Sequence, residues 1–222
     1  KNLLEHAVHN SEYYKKISAC NPCAEEILSA NEVCTLSSLI LPSFFVNEKF
    51  NWDEFKKAIY QTVRSLDNTT SVSKTGEDDI DEASETSRRV GLGTTGVAEL
   101  LLLKGLKYSS QEGRDFIEKI MMFLRDNAYM ASVELAKERG PFPAFNYDGI
   151  SKSEFFKTLP SNIKKEIKKH GLRNVTLLCQ APVGTTGTMV GYSTGCEPYF
   201  AMSYTRNSRV GTFQDGSPCF QR

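Results

Sequence analysis

The chain has 222 residues, 40% hydrophobic and 24% charged, which fits one large or two small globular domains and excludes a disordered chain. Its 27 basic and 27 acidic side chains cancel, so it has no general electrostatic attraction for nucleic acid or an anionic membrane. The longest apolar run is far shorter than the ~20 residues that cross a bilayer, and the charged, amphipathic start is unlike a secretory signal peptide.

We therefore expect a cytoplasmic protein with reduced thiols, because its six cysteines are too sparse for a disulfide scaffold. The chain starts at Lys1 and stops at Arg222 without a closing signal, so we expect it to be a piece of a longer protein.

The first half of the chain is predicted to form a buried strand and two helices. Residues 33–41 are β-branched and apolar, which predicts a strand. Asn51 and Glu54 have the spacing of a capping box at the start of a helix. The polar, acidic stretch 71–87 predicts a solvated loop that runs into a second helix. The first helix is expected to bury one face, made of Phe55, Ile59, Val63 and Leu66.

The middle of the chain is predicted to be helical. Residues 90–105 begin in glycines and continue as an apolar helix. The longest helix starts at Ser109 or Ser110 and ends before Gly140. Its expected buried side consists of Phe116, Ile120, Phe123, Leu124 and Leu135.

A short basic helix, 162–170, and a second buried strand, 174–182, are predicted next, and the tail after Arg206 has the composition of a loop. Buried strands alternating with helices indicate an α/β fold with at least partly parallel pairing.

Cys20 and Cys23 form a CxxC pair, a pattern found in zinc sites and thiol–disulfide enzymes. The remaining cysteines form no second pair and the three histidines are badly placed, so no metal site is predicted. Residues 6–19, just before the pair, have helical character, which does not fit a thioredoxin-like strand.

Two glycine-rich segments could bind phosphate. GLGTTG, 91–96, fits the dinucleotide-binding pattern, but polar residues and two arginines precede it, so a tight turn with close helix packing is favoured. APVGTTGT, 181–188, follows a predicted strand, and its backbone N–H groups and hydroxyls suit a phosphate cradle as well as a plain connection.

In NPCAE, residues 21–25, an amide, a thiol and a carboxylate occupy alternate positions. If the segment is extended, Asn21, Cys23 and Glu25 project together. The alternative is that Asn21 and Pro22 make a turn, with Cys23 a small apolar residue and Glu25 solvated.

NPCAE, CTLS at 34–37, LDN at 66–68, RRVGLGTTG at 88–96, APVGTTGT and GCEPYFA at 195–201 together resemble the catalytic α subunit of ribonucleotide reductase. The similarity runs in order over nearly the whole chain. The NPC form and the short interval from Cys23 to Cys34 are most similar to the class II, adenosylcobalamin-dependent branch.

The resemblance implies a fold and a domain layout. The chain would be about the second half of a ten-stranded α/β barrel whose central finger loop carries a radical cysteine. The finger loop would lie near 18–30, the half-barrel would span 31–205, and 206–222 would be a tail.

The resemblance also implies roles for individual residues. Cys23 would form a thiyl radical that abstracts the 3′ hydrogen of a ribonucleotide. Glu25 would be the general base for the 3′-hydroxyl, and Asn21 would hydrogen-bond a ribose hydroxyl. Cys34 would be one of two cysteines that reduce the substrate. The substrate phosphate would contact Ala181, Pro182, Val183, Gly184, Thr185, Thr186, Gly187 and Thr188.

Further components are implied as well. The radical would come from adenosylcobalamin, or otherwise from a separate metal-containing subunit. The substrate would be a ribonucleoside di- or triphosphate, and the reductant a thioredoxin or glutaredoxin. The first half of the barrel, in the same chain or a split partner, would supply the second redox cysteine, since Cys20 and Cys219 do not match it. Neither a membrane nor nucleic acid is expected as a partner, and Cys179 and Cys196 are expected to be small buried residues.

Three alternatives stay open. The chain could belong to a class I subunit, to a non-catalytic accessory or split fragment, or, on GLGTTG, to a dinucleotide-dependent oxidoreductase. On any reductase interpretation, the 222 residues alone are expected to be inactive.

Overall fold

The computed structural model describes residues 17–198, 201 and 203, and the backbone of 208–212 and 218–221. Strands and helices are mixed along the chain. The strands are β1 (Ala19–Cys20), β2 (Ile27–Leu28), β3 (Thr35–Ile40), β4 (Phe45–Val46), β5 (Lys49–Phe50), β6 (Val90–Thr95), β7 (Ser208–Thr212) and β8 (Pro218–Gln221). The α-helices are α1 (Trp52–Val72), α2 (Asp78–Ser87), α3 (Val97–Leu103), α4 (Gln111–Arg139), α5 (Tyr147–Ile150), α6 (Glu154–Thr158), α7 (Ser161–His170) and α8 (Gly184–Val190).

A small parallel sheet lies at the centre. β3 pairs with β6 in parallel, with Leu36 opposite Gly91. On the other side of β6, Leu92 pairs in parallel with Leu178. The parallel pairing predicted from the sequence is therefore confirmed, although the expected strand 174–182 joins the sheet only around Leu178.

Residues 90–95 form a strand with all six residues buried, so the predicted tight turn is wrong here. The glycines serve the sheet instead: a Cβ on Gly91 would lie 2.6 Å from the Cβ of Cys179, so only glycine lets the neighbouring segment approach this closely. Arg88 and Arg89, which argued against a buried strand, are themselves buried because carboxylates pair with them.

Helix α1 packs on the sheet as predicted, and all four residues of its expected apolar face are buried. The Asn51 side chain accepts a hydrogen bond from the Glu54 N–H at 3.1 Å, which caps the helix. The reciprocal half of the capping box is missing, because the Asn51 N–H donates to the Phe44 carbonyl and Glu54 pairs with Lys57.

The loop predicted over 71–87 is mostly helical. Helix α1 continues to Val72 and α2 begins at Asp78, so only 73–77 connect them. The acidic residues at the start of α2 favour this helix because they face the positive end of its dipole.

The longest helix, α4, has the predicted limits, with Ser110 accepting from the Gly113 N–H at 3.1 Å and Gly140 following its end. On its expected buried side, Phe116 and Phe123 are only partly buried, and they contact aromatic rings around Phe50. The other three predicted residues, Ile120, Leu124 and Leu135, are fully buried.

The remaining predictions concern the tail, the basic helix and the first residues of the chain. The prediction of a loop-like tail is wrong, because β7 and β8 pair antiparallel within it. The basic helix α7 is confirmed and ends before Gly171. Most of the predicted helical segment 6–19 lies outside the described residues. Within the described part of the chain, every helix is too short or too polar to cross a membrane.

A buried ionic cluster joins the helices to the sheet. Asp67 of α1 is fully buried and accepts from the Nε of Arg88 at 2.8 Å, just before β6. The same carboxylate accepts from Arg139 at the end of α4 and from Arg173 and Asn174, which precede the third segment of the sheet. One carboxylate thus holds four parts of the chain together.

Candidate active site

The NPCAE segment lies at the tip of the antiparallel hairpin made by β1 and β2. The Ala24 N–H donates to the Asn21 carbonyl at 2.9 Å, which closes a β-turn with Pro22 in its second position. Ala24 has a φ of 63°, in the left-handed region. The extended conformation that would alternate the three polar side chains is therefore wrong over residues 21–24, and the alternative of a turn is right.

The turn still keeps the three predicted side chains at one tip. The Oδ1 of Asn21 accepts a hydrogen bond from the Glu26 N–H at 3.0 Å. The NH₂ group of the same amide is not needed to hold the turn. Cys23 is exposed. The Oε2 of Glu25 is buried and accepts no hydrogen bond from the residues that the structure describes. The tip thus carries an amide donor, an exposed thiol and a buried carboxylate oxygen with free acceptor capacity.

A buried arginine anchors this hairpin to the sheet. Arg89, directly before β6, lies 3.4 Å from the Oε2 of Glu26 and 3.1 Å from the Oε2 of Glu32. All three side chains are less than a tenth exposed. Burial raises the pKa of Glu26, and the Arg89 guanidinium partly offsets that rise. Glu32 also accepts from the Ser29 N–H at 2.8 Å, which fixes the chain after β2.

Two thiols lie under the hairpin, beside Glu26. Cys34 precedes β3, and Cys179 follows the paired residue Leu178. The Sγ of Cys179 contacts the Glu25 carbonyl at 3.8 Å. Burial raises the pKa of Cys34 far above its usual range, and the Glu26 carboxylate adds to the rise. Burial likewise raises the pKa of Cys179 to about 12, with Glu26 and Glu25 contributing.

The segment 181–188 comes directly after these contacts. Ala181–Val183 are extended or irregular, and the rest enters helix α8. The Val183 N–H donates to the Thr194 carbonyl at 2.8 Å, which folds the chain after α8 back onto its start. Cys179 contacts the backbone carbonyl of Glu25, so the segment starts two residues after a residue that touches the hairpin.

Several residues of this site were missed in the sequence. Cys179 was expected to be a small buried residue, and it is buried, but its position beside Cys34 was not foreseen. Cys196 is only half-buried. Glu26 and Arg89 carry no motif of their own. The one available signal was a pair of arginines next to a strongly apolar segment. Arginines that are buried with such a segment require carboxylates nearby.

Comparison with known proteins gives a consistent result. The family described as ribonucleotide reductase, barrel domain, matches residues 5–222. The chain is 33% identical over 207 residues to a vitamin B12-dependent ribonucleoside-diphosphate reductase of Mycobacterium tuberculosis, covering 93% of this chain and 28% of that protein. A reductase of the same description from Thermoplasma acidophilum is 32% identical over 86% of this chain and 23% of its own length.

The similarity extends to a protein of different description. The ribonucleoside-diphosphate reductase large subunit of Variola virus is 29% identical over 94% of this chain and 29% of its own length. The chain therefore spans less than a third of the length of each of these relatives.

Proposed function

Because the chain belongs to the ribonucleotide reductase barrel domain family, we propose that it forms part of an enzyme that reduces ribonucleotides to 2′-deoxyribonucleotides. In this proposal the sheet β3–β6 is part of the second half of a ten-stranded barrel. The β1–β2 hairpin, within residues 18–30, is its finger loop, 31–205 are the half-barrel, and 206–222 are a tail.

Cys23 is the proposed radical residue. Its exposure at the hairpin tip leaves the sulfur open both to a radical source and to a substrate. As a thiyl radical it would take the 3′ hydrogen from the ribose, re-forming the thiol and leaving a carbon radical on the sugar. Cys20 is also exposed, on β1 three residues away, and serves as a matched control.

Glu25 and Asn21 are proposed to act on the ribose hydroxyls. The observation that carries the proposal is the buried Oε2 of Glu25, which has free acceptor capacity two residues from an exposed thiol. A substrate 3′-hydroxyl can supply the missing hydrogen and pass its proton to this oxygen. The amide NH₂ of Asn21 is the complementary donor, since its oxygen already holds the turn.

Cys34 is proposed to be one of the two thiols that reduce the sugar when its 2′-hydroxyl leaves as water. It lies beneath the hairpin next to Glu26, and burial keeps its pKa high, so it is held as a neutral thiol. A neutral thiol can donate the hydrogens that this reduction requires. Its redox partner would come from the first half of the barrel.

The substrate phosphate is proposed to contact residues 181–188, because the segment begins beside the hairpin and is composed of small and hydroxyl-bearing residues. The substrate is a ribonucleoside di- or triphosphate, and a thioredoxin or glutaredoxin would return electrons to the thiols. When bound, adenosylcobalamin would supply the radical at Cys23, as the names of two relatives suggest. A separate metal-containing subunit is the second candidate source.

The test is anoxic ribonucleotide reduction by the natural polypeptide, or pair of polypeptides, that contains this chain. The reaction contains adenosylcobalamin and a dithiol as the only radical source and reductant. We expect deoxynucleotide formation that Cys23→Ser abolishes and Cys20→Ser preserves. Product that appears only with a metal-radical subunit would move the enzyme to class I. Absence of product under both conditions would contradict the proposal and favour a non-catalytic accessory role.

A further inference from the structure

Cys34 and Cys179 both lie beside Gly91 of β6. Both belong to segments that flank β6, and Gly91 lies between them without a side chain. A Cβ on Gly91 would lie 2.6 Å from the Cβ of Cys179 and 3.4 Å from the Sγ of Cys34. Those two cysteine atoms can therefore be no farther apart than the sum of these distances. A larger residue at position 91 would separate them.

One carboxylate connects both thiols. Glu26 is buried, and its interactions with the thiols of Cys34 and Cys179 are among those that lower its pKa against the effect of burial. Cys179 is further held by the Glu25 carbonyl. The two thiols, Glu26 and Arg89 thus form one buried cluster beneath the hairpin, and the proposed reaction assigns no role to Cys179.

We propose that Cys34 and Cys179 form a reversible intrachain disulfide across Gly91 when the protein meets a low-molecular-weight disulfide such as oxidised glutathione. A disulfide requires Cβ atoms about 3.5–4.5 Å apart. The Cys34 side chain can rotate toward Cys179 above Gly91 once the end of the Leu36 side chain moves aside, because its Cδ2 lies 2.6 Å from the position that a Cβ on Gly91 would take.

The exchange balances in two steps. Cys34 is the more exposed thiol, so its sulfur attacks glutathione disulfide while Glu26 takes up its proton, and one glutathione thiolate is released. The Cys179 sulfur then attacks the Sγ of Cys34 and releases the second glutathione. Two protein thiols lose two electrons, one glutathione disulfide gains them, and the two protons end on the two glutathione thiols.

The disulfide would withdraw Cys34 from catalysis, and this consequence rests on the proposed function. Cys34 bound to Cys179 has no thiol to offer a substrate or its partner in the other half of the barrel. A dithiol reductant would restore it. Cys179 would thus be a redox-sensitive site that switches the enzyme off reversibly.

The experiment maps disulfides in the natural polypeptide that contains this chain. The reduced protein is incubated with oxidised glutathione at mildly alkaline pH, remaining thiols are alkylated, and a non-reducing digest is analysed by mass spectrometry. We expect Cys34–Cys179 to be the main disulfide formed by Cys179. It should be absent in Cys179→Ser and unchanged in Cys196→Ser, which removes a half-buried thiol elsewhere. Circular dichroism checks that both variants fold.

Recovery of Cys179 as a free alkylated thiol, as a glutathione adduct, or linked to another cysteine would overturn the proposal. Reductase activity is measured on the same samples before and after oxidation. If the disulfide forms but the reduced protein has no reductase activity, the proposed function fails while the disulfide stands. If activity is present, the oxidant should inactivate the parent protein at least tenfold more than Cys179→Ser.

Discussion

Replacing Arg89 should destabilise the protein strongly and in a pH-dependent way. Arg89→Leu removes the cation that lies 3.4 Å from Glu26 and 3.1 Å from Glu32, both of them buried. Breaking a buried ion pair by removing one partner costs about 3–5 kcal/mol, because the remaining charge is left without compensation. In a domain of 150–250 residues that corresponds to a fall in Tm of roughly 6–20 °C.

The sign of the pH effect follows from Glu26. Burial already raises its pKa, and Arg89 is the main interaction that opposes the rise. Without Arg89 the folded protein holds a proton on Glu26 at pH values where the unfolded chain has lost it. Stability then falls as pH rises above the ordinary glutamate pKa of about 4.3. The loss of stability in Arg89→Leu should therefore be smaller near pH 5 than near pH 8.

The assay is thermal unfolding of the natural polypeptide followed by circular dichroism at several pH values. Arg64→Leu is the matched control, because Arg64 also binds two carboxylate oxygens, those of Glu138, but does so at the surface. Exposed pairs contribute little, so this variant should unfold close to the parent. Equal destabilisation by the two substitutions, or an Arg89→Leu effect that does not change with pH, would refute the argument.

Three further variants or reagents test other parts of the structure. Asp67→Asn should cost about 3–5 kcal/mol in the free energy of unfolding, measured with urea, because Arg88 stays buried without its counter-charge; a change below 1 kcal/mol would contradict the buried pair. Ala24→Gly should stabilise the hairpin by about 1 kcal/mol, since Ala24 adopts a left-handed φ; faster hydrogen exchange at the tip would argue against it. Iodoacetamide at neutral pH should alkylate exposed Cys23 well before Cys179, whose pKa burial raises to about 12; equal rates by mass spectrometry would exclude the burial described.

Local patterns predicted most of the fold because they depend on neighbours in sequence. The apolar spacing from Phe55 to Leu66, the cap at Ser110 and the stop at Gly140 each act within a few residues, and each is present. The glycine-rich strand β6 was missed because glycine has low strand propensity, and its burial depends on two other segments approaching it. No local signal reports such an approach.

The candidate site likewise contains residues that could be predicted from the sequence and residues that could not. The polar tip of the hairpin could be predicted, since Asn21, Cys23 and Glu25 are adjacent in sequence. The residues that hold the tip could not, because Arg89 is 63 residues from Glu26 and the proximity of Cys179 depends on parallel pairing around Gly91. Glycine at position 91 accounts for two features. It lets the segment that contains Cys179 approach β6 closely, and it leaves room for the thiols of Cys34 and Cys179 to lie near each other.

The proposed chemistry also explains why the thiols differ in their surroundings. A cysteine that exchanges a hydrogen atom with an external radical source and with a substrate has to be exposed, and Cys23 lies at the tip. A cysteine that supplies hydrogens to a leaving hydroxyl has to be kept as a thiol, and burial with Glu26 raises the pKa of Cys34 accordingly. The same carboxylate pairs with Arg89, which fixes the hairpin that carries Cys23. Glu26 therefore links the position of Cys23, the proposed radical residue, to the protonation of Cys34, the proposed reductant.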